Sequence, residues 1–206
     1  AVRPVARLTY TPVPGVTGTF GTLQGPHDQL FDAVFDDSNR FVRPLEQGGQ
    51  VRVDLPWYRQ DLFANWEQTF GGFQPKRYDV GYAGQLRFDW LRFNGQVHLV
   101  ENGRAYLKLD RSFDTRQNLV TAAGPELALQ PSRYLPVPEW WREIGVRVQY
   151  LTSRDDPNAA RGGDTTRGRG YEAQAWVDLD GWRSRIGFWR GRHFISQQGD
   201  PEYRIG

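Results

Sequence analysis

The 206-residue chain carries 26 Lys and Arg against 24 Asp and Glu, a near-balance that gives no reason to expect an acidic or nucleic-acid partner. Cysteine is absent, which excludes disulfides, zinc–thiolate sites and thiol nucleophiles, and methionine is absent too. No run of about 18 apolar residues occurs, so no helix of this chain spans a bilayer, whereas the strands of a barrel need only about ten alternating residues each.

Taken in chain order, the sequence alternates with a period of two. Residues 5–12 and 16–23 flank Pro14-Gly15, a strong turn signal. Residues 47–55 set Val51, Val53 and Leu55 against Arg52 and Asp54. After Pro56-Trp57, residues 58–69 set Leu62, Ala64 and Trp66 against Arg59, Asp61, Asn65 and Glu67. From 78 to 88 the even positions Tyr78, Val80, Tyr82, Gly84, Leu86 and Phe88 form one face, opposite Asp79, Gln85 and Arg87. Beyond Asp89-Trp90 the odd positions Leu91, Phe93, Gly95, Val97 and Leu99 take over, opposite Arg92, Asn94, Gln96 and His98. A parity switch across a tight turn is what a hairpin with one apolar face requires.

A weaker strand is expected at 118–130. Residues 142–152 set Ile144, Val146, Val148 and Tyr150 against Arg147 and Gln149, and 171–179 set Ala173, Ala175, Val177 and Leu179 against Glu172, Gln174 and Asp178. Asp180-Gly181, the best short-hairpin dipeptide of the chain, leads into 182–194, where Trp182, Ser184, Ile186 and Phe188 oppose Arg183 and Arg185. About ten strands result, and the only helix candidate is DQLFDAVF at 28–35.

The connections alternate as well: short at 12–15, 56–57, 89–90 and 180–181, long at 24–46, 101–117 and 153–170, and medium at 70–77 and 131–141. A transmembrane barrel has short turns on its periplasmic rim and longer loops outside. A soluble β-sandwich also alternates apolar with polar. Three features favour the barrel: aromatic residues at strand ends (Tyr10, Trp57, Trp66, Trp90, Trp140, Tyr171), the regular alternation of loop lengths, and an apolar face of little bulk at Gly84, Gly95, Ala173 and Ala175.

The run ARLTYTPVPGVTGTFGTLQGPH, followed by RFVRPLEQGGQVRVDLPWYRQDLFANW, resembles bacterial outer-membrane barrels of porin type. The resemblance implies a passive diffusion channel, with 24–46 as a loop folded into the pore. The chain departs from that pattern by ending in DPEYRIG rather than on an aromatic residue. With short joints periplasmic, both ends fall on the outer rim, so the chain is expected to be an internal portion of a larger barrel, a closed ten-strand barrel being the alternative.

Little in the sequence suggests chemistry. His27, His98 and His193 share no metal-ligand spacing and read as solvated histidines. No Gly-x-Ser-x-Gly element occurs, and Ser112, Ser184 and Ser196 are poor nucleophile candidates. Glu67, Asp79 and Asp89 invite a carboxylate-pair reading but suit a polar lumen better. The acidic stretches 35–39 and 154–156 lack EF-hand spacing, and the glycines of 162–170 are too irregular to cradle phosphate.

The expectation is therefore an all-β, antiparallel, up-and-down transmembrane barrel of the bacterial outer membrane, a channel for small hydrophilic solutes with no catalysis, cofactor or metal. Its lumen would be lined by Arg52, Asp54, Arg59, Asp61, Glu67, Arg87, Arg92, Arg147, Glu172, Asp178, Arg183 and Arg185. Its lipid face would carry Val51, Val53, Leu62, Leu86, Phe88, Val97, Leu99, Val146, Val148, Val177, Ile186 and Phe188. The expected partners are outer-membrane lipid, the solutes, and a homo-oligomer or envelope complex, with no nucleic acid. The alternatives are a soluble all-β carbohydrate-binding or carbohydrate-cleaving domain and a barrel scaffold.

Overall fold

The computed structural model describes residues 5–23, 30–35, 47–67, 77–102, 116–157 and 164–203. Within them run β1 (Arg7–Val13), β2 (Val16–Thr22), β3 (Gln47–Asp54), β4 (Tyr58–Glu67), β5 (Arg77–Phe88), β6 (Leu91–Asn102), β7 (Arg116–Leu129), β8 (Trp141–Asp156), β9 (Thr166–Leu179) and β10 (Trp182–Arg192). They form one antiparallel up-and-down sheet in chain order, and β1 and β10 are not paired to each other.

The tight joints follow from backbone chemistry. Gly15 (φ 83°) and Gly181 (φ 77°) occupy left-handed positions that a side chain would strain, and Asp89 (φ 49°) fills the same role between β5 and β6. The longer connection 131–141 folds back under this rim. Tyr134 donates a hydrogen bond to Asp89 (3.0 Å), and Arg133 lies 3.6 Å from the same carboxylate.

Alternation sends one set of side chains to a concave face and the other outward. Val51, Leu62, Leu86, Phe88, Val97, Val146, Val148, Ile186 and Phe188 are exposed on the outer face, from 38% at Leu86 to 75% at Ile186, while Val53, Leu99 and Val177 are half-buried beside them. The concave face is filled by the chain itself. Residues 30–35 and the segment after β10 lie inside, where Leu30, Phe31, Ala33, Val34, Phe35 and Phe194 pack on Phe63, Ala83, Val120, Ala122 and Leu151. These partners come from β4, β5, β7 and β8, so the sheet wraps around the plug. Ser196 Oγ ties its two parts together, donating to the Val34 carbonyl (2.9 Å) and accepting from Gly199 N–H (2.9 Å).

Phe194 is fully buried and meets Trp189 edge-on at 5.1 Å. Phe194→Ala is expected to cost about 3–5 kcal/mol, read as a lower urea midpoint for unfolding from detergent micelles.

Two expectations are corrected here. The helix candidate 28–35 is, over its described part 30–35, a single turn in which Val34 N–H and Phe35 N–H both reach the Phe31 carbonyl. So short a segment cannot repay helix nucleation, and its apolar residues are held by packing instead. The long connection expected at 153–170 is half strand: β8 continues to Asp156 and β9 begins at Thr166. The rest of the pore-loop candidate, 24–29 and 36–46, lies outside the described residues.

Candidate functional site

Strand register brings three inward polar side chains together near the end of the sheet that carries the long connections. Asn65 on β4 faces Asp79 on β5 across the ladder, and His98 on β6 faces Gly81, two residues from Asp79. His98 Nε2 and Asp79 Oδ1 are 2.5 Å apart, and each side chain is 1% exposed. Phe35 of the plug meets the imidazole edge-on at 5.9 Å, and Phe63 lies tilted at 6.3 Å. Gly81 makes that packing possible, since a Cβ there would sit 2.2 Å from the Phe63 ring.

An ionised carboxylate only accepts, so opposite an ionised Asp79 it is His98 Nε2–H that donates, which leaves Nδ1 as the other ring nitrogen. A histidine held in one tautomer by a buried carboxylate is a general base of fixed orientation. Asn65 is 2% exposed, and among the described residues neither its Nδ2 nor its Oδ1 has a hydrogen-bond partner. An unpaired buried amide costs roughly 1–3 kcal/mol, and its Nδ2–H is a donor not used within the sheet.

The residues expected to line a lumen sit at inward positions, where they pair across strands. Arg52 reaches Asp61 (2.9 Å), which also accepts from Gln50. Arg87 reaches Asp54 (3.2 Å), and Arg183 pairs with Asp178. Arg92 bridges Glu126 (2.9 Å) and Glu143 (2.7 Å), while Trp176 Nε1–H donates to Glu143 (3.0 Å). Arg147 lies 3.8 Å from Glu172 and stacks over Phe31, 3.8 Å from its ring centre. Arg185 extends to Asp32 of the plug (3.9 Å), Arg59 lines the same space, and the Glu67 side chain lies outside the described residues.

Of these, Arg59, Arg92, Glu126, Glu143, Arg147 and Arg183 line a half-open polar cavity of about 470 Å³ beneath Leu30–Asp32. It is bounded by the plug instead of running through the sheet. Asp155 is likewise no loop acid: it is 3% exposed and accepts from Arg116, Asn118 and Gln197.

Asn65 and His98 were absent from the expected site, and Asp79 was read only as an acid suited to a polar lumen. His98, read as solvated, is buried because the plug covers it, and Asp79 serves it instead of a second carboxylate. Hairpin closure at Phe88 and Leu91 already sets His98 diagonal to Asp79, so the pair was within reach of the register alone. His193, in the left-handed region (φ 51°), is exposed, and His27 lies outside the described residues. Among the described residues, no three His, Asp or Glu gather as a metal cluster.

A family model described as Lipid A 3'-O-deacylase-type matches residues 1–205. No curated protein and no solved structure matches the chain significantly. The family match overturns the porin-type resemblance, and with it the passive channel and the expectation of no catalysis, because the family is one of deacylases. A role in transport falls with it, and neither the soluble carbohydrate domain nor the scaffold is favoured. The physical reason is that an alternating wall serves any barrel; here its interior is occupied by 30–35 and 194–203. Deacylase families of this type are associated with the outer membrane of Gram-negative bacteria.

Proposed function

The chain belongs to the lipid A 3'-O-deacylase-type family, and we propose from that membership that it is an outer-membrane enzyme that hydrolyses an acyl ester of lipid A at the His98–Asp79 pair. The observation that carries the proposal is the buried constellation of Asn65, Asp79 and His98. It lies toward the rim with the long connections, the outer rim in barrels of this architecture, where the ester of an outer-leaflet lipid would be presented.

The chemistry follows from these groups. His98 Nδ1 takes a proton from water as the oxygen adds to the ester carbonyl, and the Asp79 carboxylate stabilises the imidazolium that forms. The amide of Asn65 donates to the oxyanion of the tetrahedral intermediate. Collapse breaks the acyl C–O bond, and His98 returns its proton to the departing sugar oxygen, leaving a free fatty acid and a sugar hydroxyl. The outer-face residues, among them Val51, Leu62, Val97, Val148 and Ile186, would contact acyl chains, keeping the substrate in the plane of the sheet.

Asn65→Leu separates a catalytic from a structural amide. An unpartnered amide contributes nothing to stability, so the variant should unfold at the wild-type urea concentration or above it. Its kcat for fatty-acid release should fall by about 10²–10³, with KM little changed. Undiminished kcat would remove Asn65 from the reaction.

A further inference from the structure

Above the apolar band, the outward positions of β8, β9 and β10 carry Arg154, Arg167, Arg169, Arg190 and Arg192, all exposed. Register sets Arg154 directly opposite Arg167, and Arg169 directly opposite Arg192, with Arg190 opposite Tyr171. Side chains so paired have Cβ atoms about 5 Å apart, and like charges there repel. Among the described residues none of the five forms an ion pair with an acid. The acids of these strand ends are Asp155, buried inward on Arg116, Asp156, which has a partner of its own, and Asp164, which precedes β9.

The patch is confined and closely backed. At the same end, the outward positions of β6 and β7 are Glu101 and Gln117, so the cationic face belongs to three strands. Inward, Arg167 and Arg169 alternate with Gly168 and Gly170, where a Cβ would lie 2.1 Å from the His193 carbonyl oxygen and 2.1 Å from the Trp189 ring. The run TRGRG is therefore strand, close-packed inside and guanidinium-bearing outside. Directly below, the Tyr150 and Tyr171 rings meet at a tilt, 5.0 Å between centres, and the apolar Val148, Ala173 and Phe188 follow. That order of apolar band, aromatic pair and cations matches acyl chain, interface and headgroup.

We propose that this face binds the phosphate groups of a phosphorylated lipid headgroup in the outer leaflet, the anion bridging the two facing arginine pairs. The inference rests on the reading of the outer face as lipid-facing and of lipid A as substrate. Guanidinium forks match phosphate oxygens two at a time, so one phosphate relieves the repulsion that the bare register imposes. Continuity with the apolar band favours a lipid phosphate over a free one.

The test uses the full chain refolded in detergent, carrying Arg169→Gln with Arg192→Gln, and native mass spectrometry with three probes: bisphosphorylated lipid A, the same lipid stripped of phosphate, and inorganic phosphate. Phosphorylated lipid should bind the variant about thirtyfold more weakly than wild type. The stripped lipid should bind both proteins equally, and inorganic phosphate should not displace the lipid at matched concentration. The lipid-free variant should be at least as heat-stable as wild type, which separates lost binding from lost folding. Equal binding of phosphorylated lipid by both proteins, or equal binding of stripped and phosphorylated lipid by wild type, would overturn the proposal. Displacement by inorganic phosphate at matched concentration would overturn it in favour of a free-anion site. Absence of fatty-acid release by wild type would refute the catalytic reading while leaving these binding results standing.

Discussion

His98→Gln should cut fatty-acid release steeply while leaving the sheet folded. Glutamine retains an N–H that can donate to Asp79, so the buried carboxylate is not stranded, but it has no basic nitrogen to take a proton from water. The expected fall in kcat is on the order of 10²–10⁴, the usual contribution of a positioned general base. Asp79→Asn keeps an acceptor for the imidazole N–H and removes only the charge that stabilises imidazolium, so it should lower kcat by at least about tenfold. Heat-modifiable gel mobility should be unchanged in both variants. A His98→Gln protein that turns over lipid A at the wild-type rate would place the reaction elsewhere in the molecule.

Val97→Arg should impair folding into bilayers by about 2–4 kcal/mol. Val97 lies midway along β6 on the outer face, 40% exposed, opposite Tyr82 and Thr121. A guanidinium there would have to leave water for hydrocarbon, with no carboxylate on the adjoining outward positions to receive it. Val97→Leu is the control, because it changes shape without charge and should cost less than about 1.5 kcal/mol. Reversible urea titration into lipid vesicles measures both. Were the arginine variant as stable as the leucine one, the outer face would not meet acyl chains.

The wall was legible because a half-buried strand has to alternate. The parity switch at Asp89-Trp90 placed β5 and β6 and the apolar and polar faces of both. The upper ends of β8 and β9 were hidden for the opposite reason: beyond the apolar band a strand no longer needs outward apolar residues, so Arg154, Arg167 and Arg169 read as loop. The plug was hidden because what holds it is remote in sequence, as in the Ser196–Val34 bond across 162 positions. His98 and Asp79 were both placed on the polar face, yet nothing local shows that this face is covered by Phe35 and Phe63. Channel and esterase share the same wall and differ in a few inward side chains and in what fills the middle, so periodicity gave the architecture and left the activity open.

The most direct measurement is mass spectrometry of lipid A incubated with the refolded wild-type chain. The expected products are a lipid lighter by one ester-linked acyl chain and an equimolar amount of free fatty acid. Unaltered lipid A, from a protein that instead conducts ions steadily across a planar bilayer, would contradict the catalytic reading.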